Sequence, residues 1–117
     1  MKYAELVPNL YETTDYVNNP SIHTLCQLAK EHQVFVVGGS IPEKEYHKDS
    51  HDASTKPLLY NTCVVINPLG EIIAKHRKIH LFDIDIPGKM TFKESDSLIA
   101  GDEPTTFDTP FGKRHLF

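Results

Sequence analysis

Lys75, His76, Arg77, Lys78 and His80 crowd one short stretch, and Asp83, Asp85 and Glu94 follow it. Such a cluster has two readings. One is a solvated basic strand end beside an acidic edge, the usual fate of clustered charge. In the other, one lysine points into a pocket and acts as a fixed cation that stabilises an oxyanion. Spacing alone does not choose between them or between the lysines. His47 and His51 stand four apart with Asp49 and Asp52 nearby, but their segment has no helical period, and a metal site also needs a third ligand and a held geometry, so it is not read as a metal site. Gly38-Gly39-Ser40 lacks the lysine and further glycine of a phosphate loop and reads as close backbone packing. Cys26 and Cys63 lie in apolar contexts without the short spacing of a zinc or redox pair, and both read as small core residues rather than nucleophiles.

These residues need elements to hold them. Residues 1–19 show no clear period and read as an irregular lead-in. Asn19-Pro20 opens a helix, with Asn19 as its cap and Pro20 at the first helical position. Ile22, Leu25, Cys26 and Ala29 form one apolar stripe that runs to about His32. The short β-branched run 34–37 predicts a strand buried on both faces and ended by Gly38-Gly39. A helix followed by a buried strand is an α/β signature. Residues 42–57 are charged throughout and predict a solvated, mobile loop. Residues 58–66 and 71–77 predict a hairpin around Asn67-Pro68-Leu69-Gly70. From 78 to 104 no period is sustained, although Phe82, Ile84 and Ile86 alternate with Asp83 and Asp85. The stretch is long for a mere connector and predicts a functional loop. Residues 105–109 alternate as a strand, Pro110-Phe111-Gly112 turns, and a returning strand begins at Lys113.

Composition narrows the possibilities. Across 117 residues there are 16 acidic and 12 basic side chains, a formal charge of −4, which excludes a basic nucleic-acid-binding surface. With 39% hydrophobic and 24% charged residues and no long apolar run, the chain reads as a single soluble domain over 1–117 without a spanning helix. The cysteine usage and the absence of a secretory pattern in residues 1–6 predict a reduced, intracellular protein, cytoplasmic with the mitochondrion as the alternative.

Three stretches then carry a family pattern. Val36-Val37-Gly38-Gly39-Ser40-Ile41-Pro42-Glu43, Leu59-Tyr60-Asn61-Thr62-Cys63-Val64-Val65, and Lys75-His76-Arg77-Lys78-Ile79-His80-Leu81-Phe82-Asp83-Ile84-Asp85 closely resemble the nitrilase superfamily of carbon-nitrogen hydrolases, and within it the omega-amidase branch. Pro87-Gly88-Lys89-Met90-Thr91-Phe92-Lys93-Glu94-Ser95 and the stretch from Gly101 to Lys113 continue the likeness, which covers nearly the whole chain. The resemblance implies an αββα sandwich that forms a homodimer when complete. It also implies a Glu-Lys-Cys catalytic set acting on a small-molecule amide, with no metal, organic cofactor, nucleic acid or membrane. Lys78 matches the catalytic lysine, and Glu94 the additional glutamate that helps position it and the substrate. The substrate implied is a small dicarboxylate monoamide of the 2-oxoglutaramate type.

The same resemblance places the proton-relaying glutamate before the part matched by Tyr3, and the nucleophilic cysteine after the turn matched by Phe111-Gly112-Lys113. Neither Cys26, Cys63 nor Glu43 matches those motifs. The chain is therefore expected to be a central fragment of an amidase, a partial sandwich that is inactive by itself. Unpaired sheet edges and an uncovered apolar face predict instability or self-association. Two alternatives stand beside this reading: a catalytically dead chain that acts only by dimerising with a homologue, and a nitrilase branch with another amide or nitrile substrate. Residues 42–57 depart from the family, being longer and more charged than the linker expected between its motifs.

Overall fold

The structure, a computed structural model, describes residues 2–46 and 56–116. The centre of the fold is the nine-residue strand β3, Leu58–Ile66, joined to β4, Ile72–Arg77, as an antiparallel hairpin with Thr62 opposite Arg77 and Val65 opposite Ala74. The turn is made by local chemistry. Asn67 Oδ1 accepts from the N–H groups of Leu69 and Glu71, and Gly70 adopts φ +80° where its α-carbon lies against the Cys26 carbonyl. On the other side of β3 two short strands pair in tandem: β1, Val36–Val37, and β2, Ile41–Glu45. Gly38 bends the chain between them. A side chain there would strike Leu25 and Val64, so the expected close packing holds at Gly38, whereas Gly39 has open space around it and is needed for its φ of +69°.

Helix α1, Pro20–His32, has the predicted bounds, and it buries Ile22, Cys26 and Ala29. This stripe meets Ile41, Val64, Ile66 and Ile72 on one face of the sheet. Each fully buried Ile or Val side chain contributes roughly 1.5–3 kcal/mol, so this seam is the main fixing of helix to sheet. The cap differs from expectation. Asn19 makes no side-chain cap bond; its amide spans the lead-in instead, accepting from Asp15 N–H at 2.7 Å and donating to the Leu6 carbonyl at 3.1 Å. The Glu5 carboxylate takes over at the helix start and accepts the Ser21 N–H at 3.1 Å, an anion placed on the positive helix end. Glu5 also bridges to Glu43, so the lead-in is tied to the edge of β2.

The opposite face of the sheet carries a second layer. Strands β7, Thr105–Thr109, and β8, Gly112–Leu116, form the predicted terminal hairpin, whose Phe107 and Leu116 pack on Val65, Ala74 and Ile73. In sequence between β4 and β7 the chain makes one more, largely exposed hairpin, β5, Asp83–Ile86, and β6, Met90–Lys93, followed by a single 3-10 turn, Glu94–Asp96.

Three expectations are corrected here. The run 34–37 is not buried on both faces: only Val36 and Val37 pair, and Val34 and Val37 are exposed. Residues 42–45 are strand rather than loop, because β3 supplies a partner and Ile41 and Glu43 point inward; residues 47–55 lie outside the described residues. The stretch 78–104 is not an open loop, since it contains β5, β6 and the 3-10 turn.

Candidate functional site

Lys78 follows directly on β4. Its N–H donates to the Asn61 carbonyl of β3 at 2.8 Å, and its carbonyl accepts the Gly101 N–H at 2.9 Å, so the backbone is held from two sides. The half-buried side chain ends with Nζ donating to Glu94 Oε2 at 2.7 Å. That oxygen also accepts the Phe82 N–H at 2.7 Å. The Lys78 contact, followed by the Phe82 N–H, holds the Glu94 carboxyl below the usual carboxylate range, against weak desolvation and repulsion from Asp83. Glu94 therefore meets the Lys78 side chain as an anion near neutral pH. Of the three Nζ protons one is engaged by Glu94, which leaves two N–H directions for an oxygen on which negative charge develops.

The hairpin β5–β6 is what brings together residues sixteen apart in sequence. Asp83 closes it from below: Oδ2 accepts the Ser95 hydroxyl at 2.6 Å and Oδ1 the Ser95 N–H at 3.1 Å, which fixes the 3-10 turn that carries Glu94. These bonds from Ser95 hold the Asp83 carboxyl below its ordinary range as well. The Glu94 N–H in turn donates to the Phe82 carbonyl at 3.1 Å.

Strand alternation places the other cations of the cluster on the face opposite Lys78. There Glu43, fully buried, receives Arg77 as a fork, Nη2 on Oε1 at 2.7 Å and Nε on Oε2 at 2.9 Å, with Lys75 Nζ at 3.5 Å from Oε1. The Thr62 hydroxyl donates to Oε2 at 2.5 Å. Burial pushes the Glu43 carboxyl up, but the Arg77 and Thr62 bonds and the Lys75 charge outweigh it and keep the carboxyl below its ordinary value. Glu43 and Glu45 raise the Arg77 guanidinium further, and the Tyr60 ring lies 3.8 Å from it. His80 is exposed. His76 is buried, with Nδ1 at 3.1 Å from Thr105 Oγ1.

The sequence model of the carbon-nitrogen hydrolase family matches residues 3–116. The chain belongs to that family. It is 46% identical over 111 residues to mouse omega-amidase NIT2, an alignment that takes in 95% of this chain and 33% of that protein. It is 47% identical over 105 residues to the hydrolase C26A3.11 of Schizosaccharomyces pombe, covering 90% of this chain and 30% of the relative. Among solved structures, Saccharomyces cerevisiae Nit3, a member of branch 10 of the nitrilase superfamily, superposes with a TM-score of 0.66 at 35% identity, covering 96% of this chain and 32% of Nit3. This carbon-nitrogen hydrolase chain thus spans about a third of the length of the curated relatives it matches. Its strand topology is a partial instance of the nitrilase sandwich.

Within this hydrolase segment neither cysteine is an activated thiol. Burial pushes the thiols of both Cys26 and Cys63 up, away from thiolate. Cys26 is in the core as expected, whereas Cys63 is only half-buried, on the sheet face opposite the helix. His47, Asp49, His51 and Asp52 lie outside the described residues; among the described residues no group of three or more potential ligands could hold a metal ion. The sequence reading missed Glu43, Thr62 and Gly101 as neighbours of the site. One signal was present: Ile41, Glu43 and Glu45 alternate, as Lys75 and Arg77 do, so two charged strands offered complementary faces.

Proposed function

We propose that this segment is the lysine-bearing part of an omega-amidase-like hydrolase of small dicarboxylate monoamides. The observation that carries the proposal is the Lys78–Glu94 pair, a half-buried ammonium held at 2.7 Å by a carboxylate within a segment 46% identical to mouse omega-amidase. In the reaction a cysteine thiolate attacks the amide carbon, a C–S bond forms and the carbonyl oxygen becomes anionic. Lys78 stabilises that oxygen, while Glu94 keeps the ammonium in place. Collapse breaks the C–N bond, and nitrogen leaves as ammonia with a proton relayed by a second glutamate. Water then adds to the thioester, giving the carboxylic acid and restoring the thiol. No metal or organic cofactor enters this scheme.

The raised thiols of Cys26 and Cys63 support assigning the nucleophile to the part of the family fold that this segment does not cover. The saturated carboxylate of Glu43 supports the same for the proton relay. By itself the segment is expected to release no ammonia from 2-oxoglutaramate above the uncatalysed rate. The full-length enzyme, these residues joined to the remaining two thirds carried by the relatives, is expected to act as a dimer. Its substrate range is the test: ammonia release from dicarboxylate monoamides should exceed that from nitriles and monocarboxylic amides by at least about a hundredfold in kcat/KM. A preference for a nitrile would assign the chain to another branch. Two cysteines outside any disulfide fit a reducing compartment, the cytoplasm or the mitochondrion.

A second reading, a non-catalytic chain that pairs with a full-length homologue, is favoured by the exposed Phe82, Met90, Phe92 and Phe111. Native mass spectrometry of a mixture separates the two. A mixed dimer without added turnover supports pairing, and no mixed species removes it.

A further inference from the structure

The Arg77–Lys78 junction is gripped through the Arg77 side chain and along the main chain by groups that touch no substrate in the scheme above. On the helix side, Glu43 holds the Arg77 guanidinium through two hydrogen bonds and is itself fixed by Thr62, while the Tyr60 ring packs 3.8 Å from the guanidinium carbon. This carboxylate is 2% exposed and accepts from three side chains, so it is a rigid anchor rather than an exchangeable surface partner. On the main chain, Gly101 donates to the Lys78 carbonyl at 2.9 Å and lies so close that a β-carbon would fall 2.2 Å from the Arg77 carbonyl oxygen and 2.8 Å from Arg77 Cβ. Only glycine permits this approach. Asn61 completes the grip through the Lys78 N–H.

Resting on the function proposed above, we infer that Glu43 and Gly101 are positioning residues for Lys78: the buried Glu43–Arg77 clamp and the glycine contact together set where the ammonium stands relative to Glu94 and the reacting oxygen. Displacement of the junction by a few tenths of an ångström would be felt at Nζ, at the far end of a four-carbon chain. A preplaced cation loses effect steeply with such misalignment. Arg77 sits on the face opposite Lys78 and acts only through the backbone they share.

The test uses the full-length enzyme with Glu43→Gln, Thr62→Val and Gly101→Ala, and with Ile22→Ala as a destabilised control in the helix core. Two quantities are read: kcat and KM for 2-oxoglutaramate per folded molecule, and the titration midpoint of the Glu94 carboxyl followed by carbon NMR. Lys78 and Asp83 are the charged groups that face that carboxyl. The inference expects Glu43→Gln and Gly101→Ala to lower kcat at least tenfold with KM within twofold. It also expects the Glu94 midpoint to rise toward the ordinary carboxylate value as Lys78 withdraws. Ile22→Ala should leave both quantities unchanged per folded molecule. If the variants behave like Ile22→Ala, or lose kcat with the Glu94 midpoint unmoved, the positioning role is overturned. Should Glu43→Gln not fold, Thr62→Val and Gly101→Ala decide by the same criteria. Failure of the underlying function is separate: Lys78→Ala would then retain turnover, while the Glu94 midpoint would still report whether the clamp places the lysine.

Discussion

The Lys78–Glu94 pair makes a prediction about acid that can be signed. Glu94 has a folded-state value below its ordinary one, so its contribution to stability is present in full above the unfolded carboxylate value of about 4.3 and is lost as pH falls through the folded value. The melting temperature of Glu94→Gln should therefore fall below that of the parent near pH 7, with the gap closing toward pH 3. An equal gap at both pH values would mean that the ion pair contributes nothing. Glu43 has the same sign, and removing its charge leaves Arg77 without its main partner. Glu43→Gln should cost on the order of 3 kcal/mol at most, since Arg77 retains partial exposure, and urea unfolding measures it. The motif resemblance pointed to Lys78 and Glu94, which the structure brings into contact at 2.7 Å, whereas clustered charge left the choice of lysine open. Glu43 was not legible, because its burial depends on Arg77 and Thr62, partners far away in sequence.

At the scale of elements, what could be read locally was read well. The β3–β4 hairpin is specified by Asn67 and Gly70 within its own turn, and α1 by Pro20 and its apolar stripe. Strand β2 escaped notice because Glu43, Lys44 and Glu45 look like loop, and only pairing with β3 makes them strand. The β5–β6 hairpin escaped because, among the described residues, its short strands pair only with each other and leave Phe82, Ile86, Met90 and Phe92 exposed, so no buried face sharpens the period. Glycine substitutions test the local account. Gly39→Ala meets a left-handed backbone but open space, and should cost about 1 kcal/mol; Gly70→Ala meets both a left-handed backbone and the Cys26 carbonyl at 2.7 Å, and should cost clearly more. Equal urea midpoints for the two variants would count against the packing of that turn on α1.

Among the described residues the molecule leaves Val17, Phe82, Met90, Phe92 and Phe111 exposed, and Cys63, on the sheet face that β7 and β8 pack on, is only half-buried. By itself the segment should self-associate or unfold with a shallow denaturant slope; light scattering that finds a monomer, together with a single cooperative transition of normal slope, would contradict this.

The proposed role of Lys78 is that of the cation in an amide-hydrolysing site. Steady-state ammonia release from 2-oxoglutaramate by the full-length enzyme and its Lys78→Ala variant tests it most directly. A loss of at least about a hundredfold in kcat with folding preserved is expected. Turnover by Lys78→Ala within a few fold of the parent would contradict it.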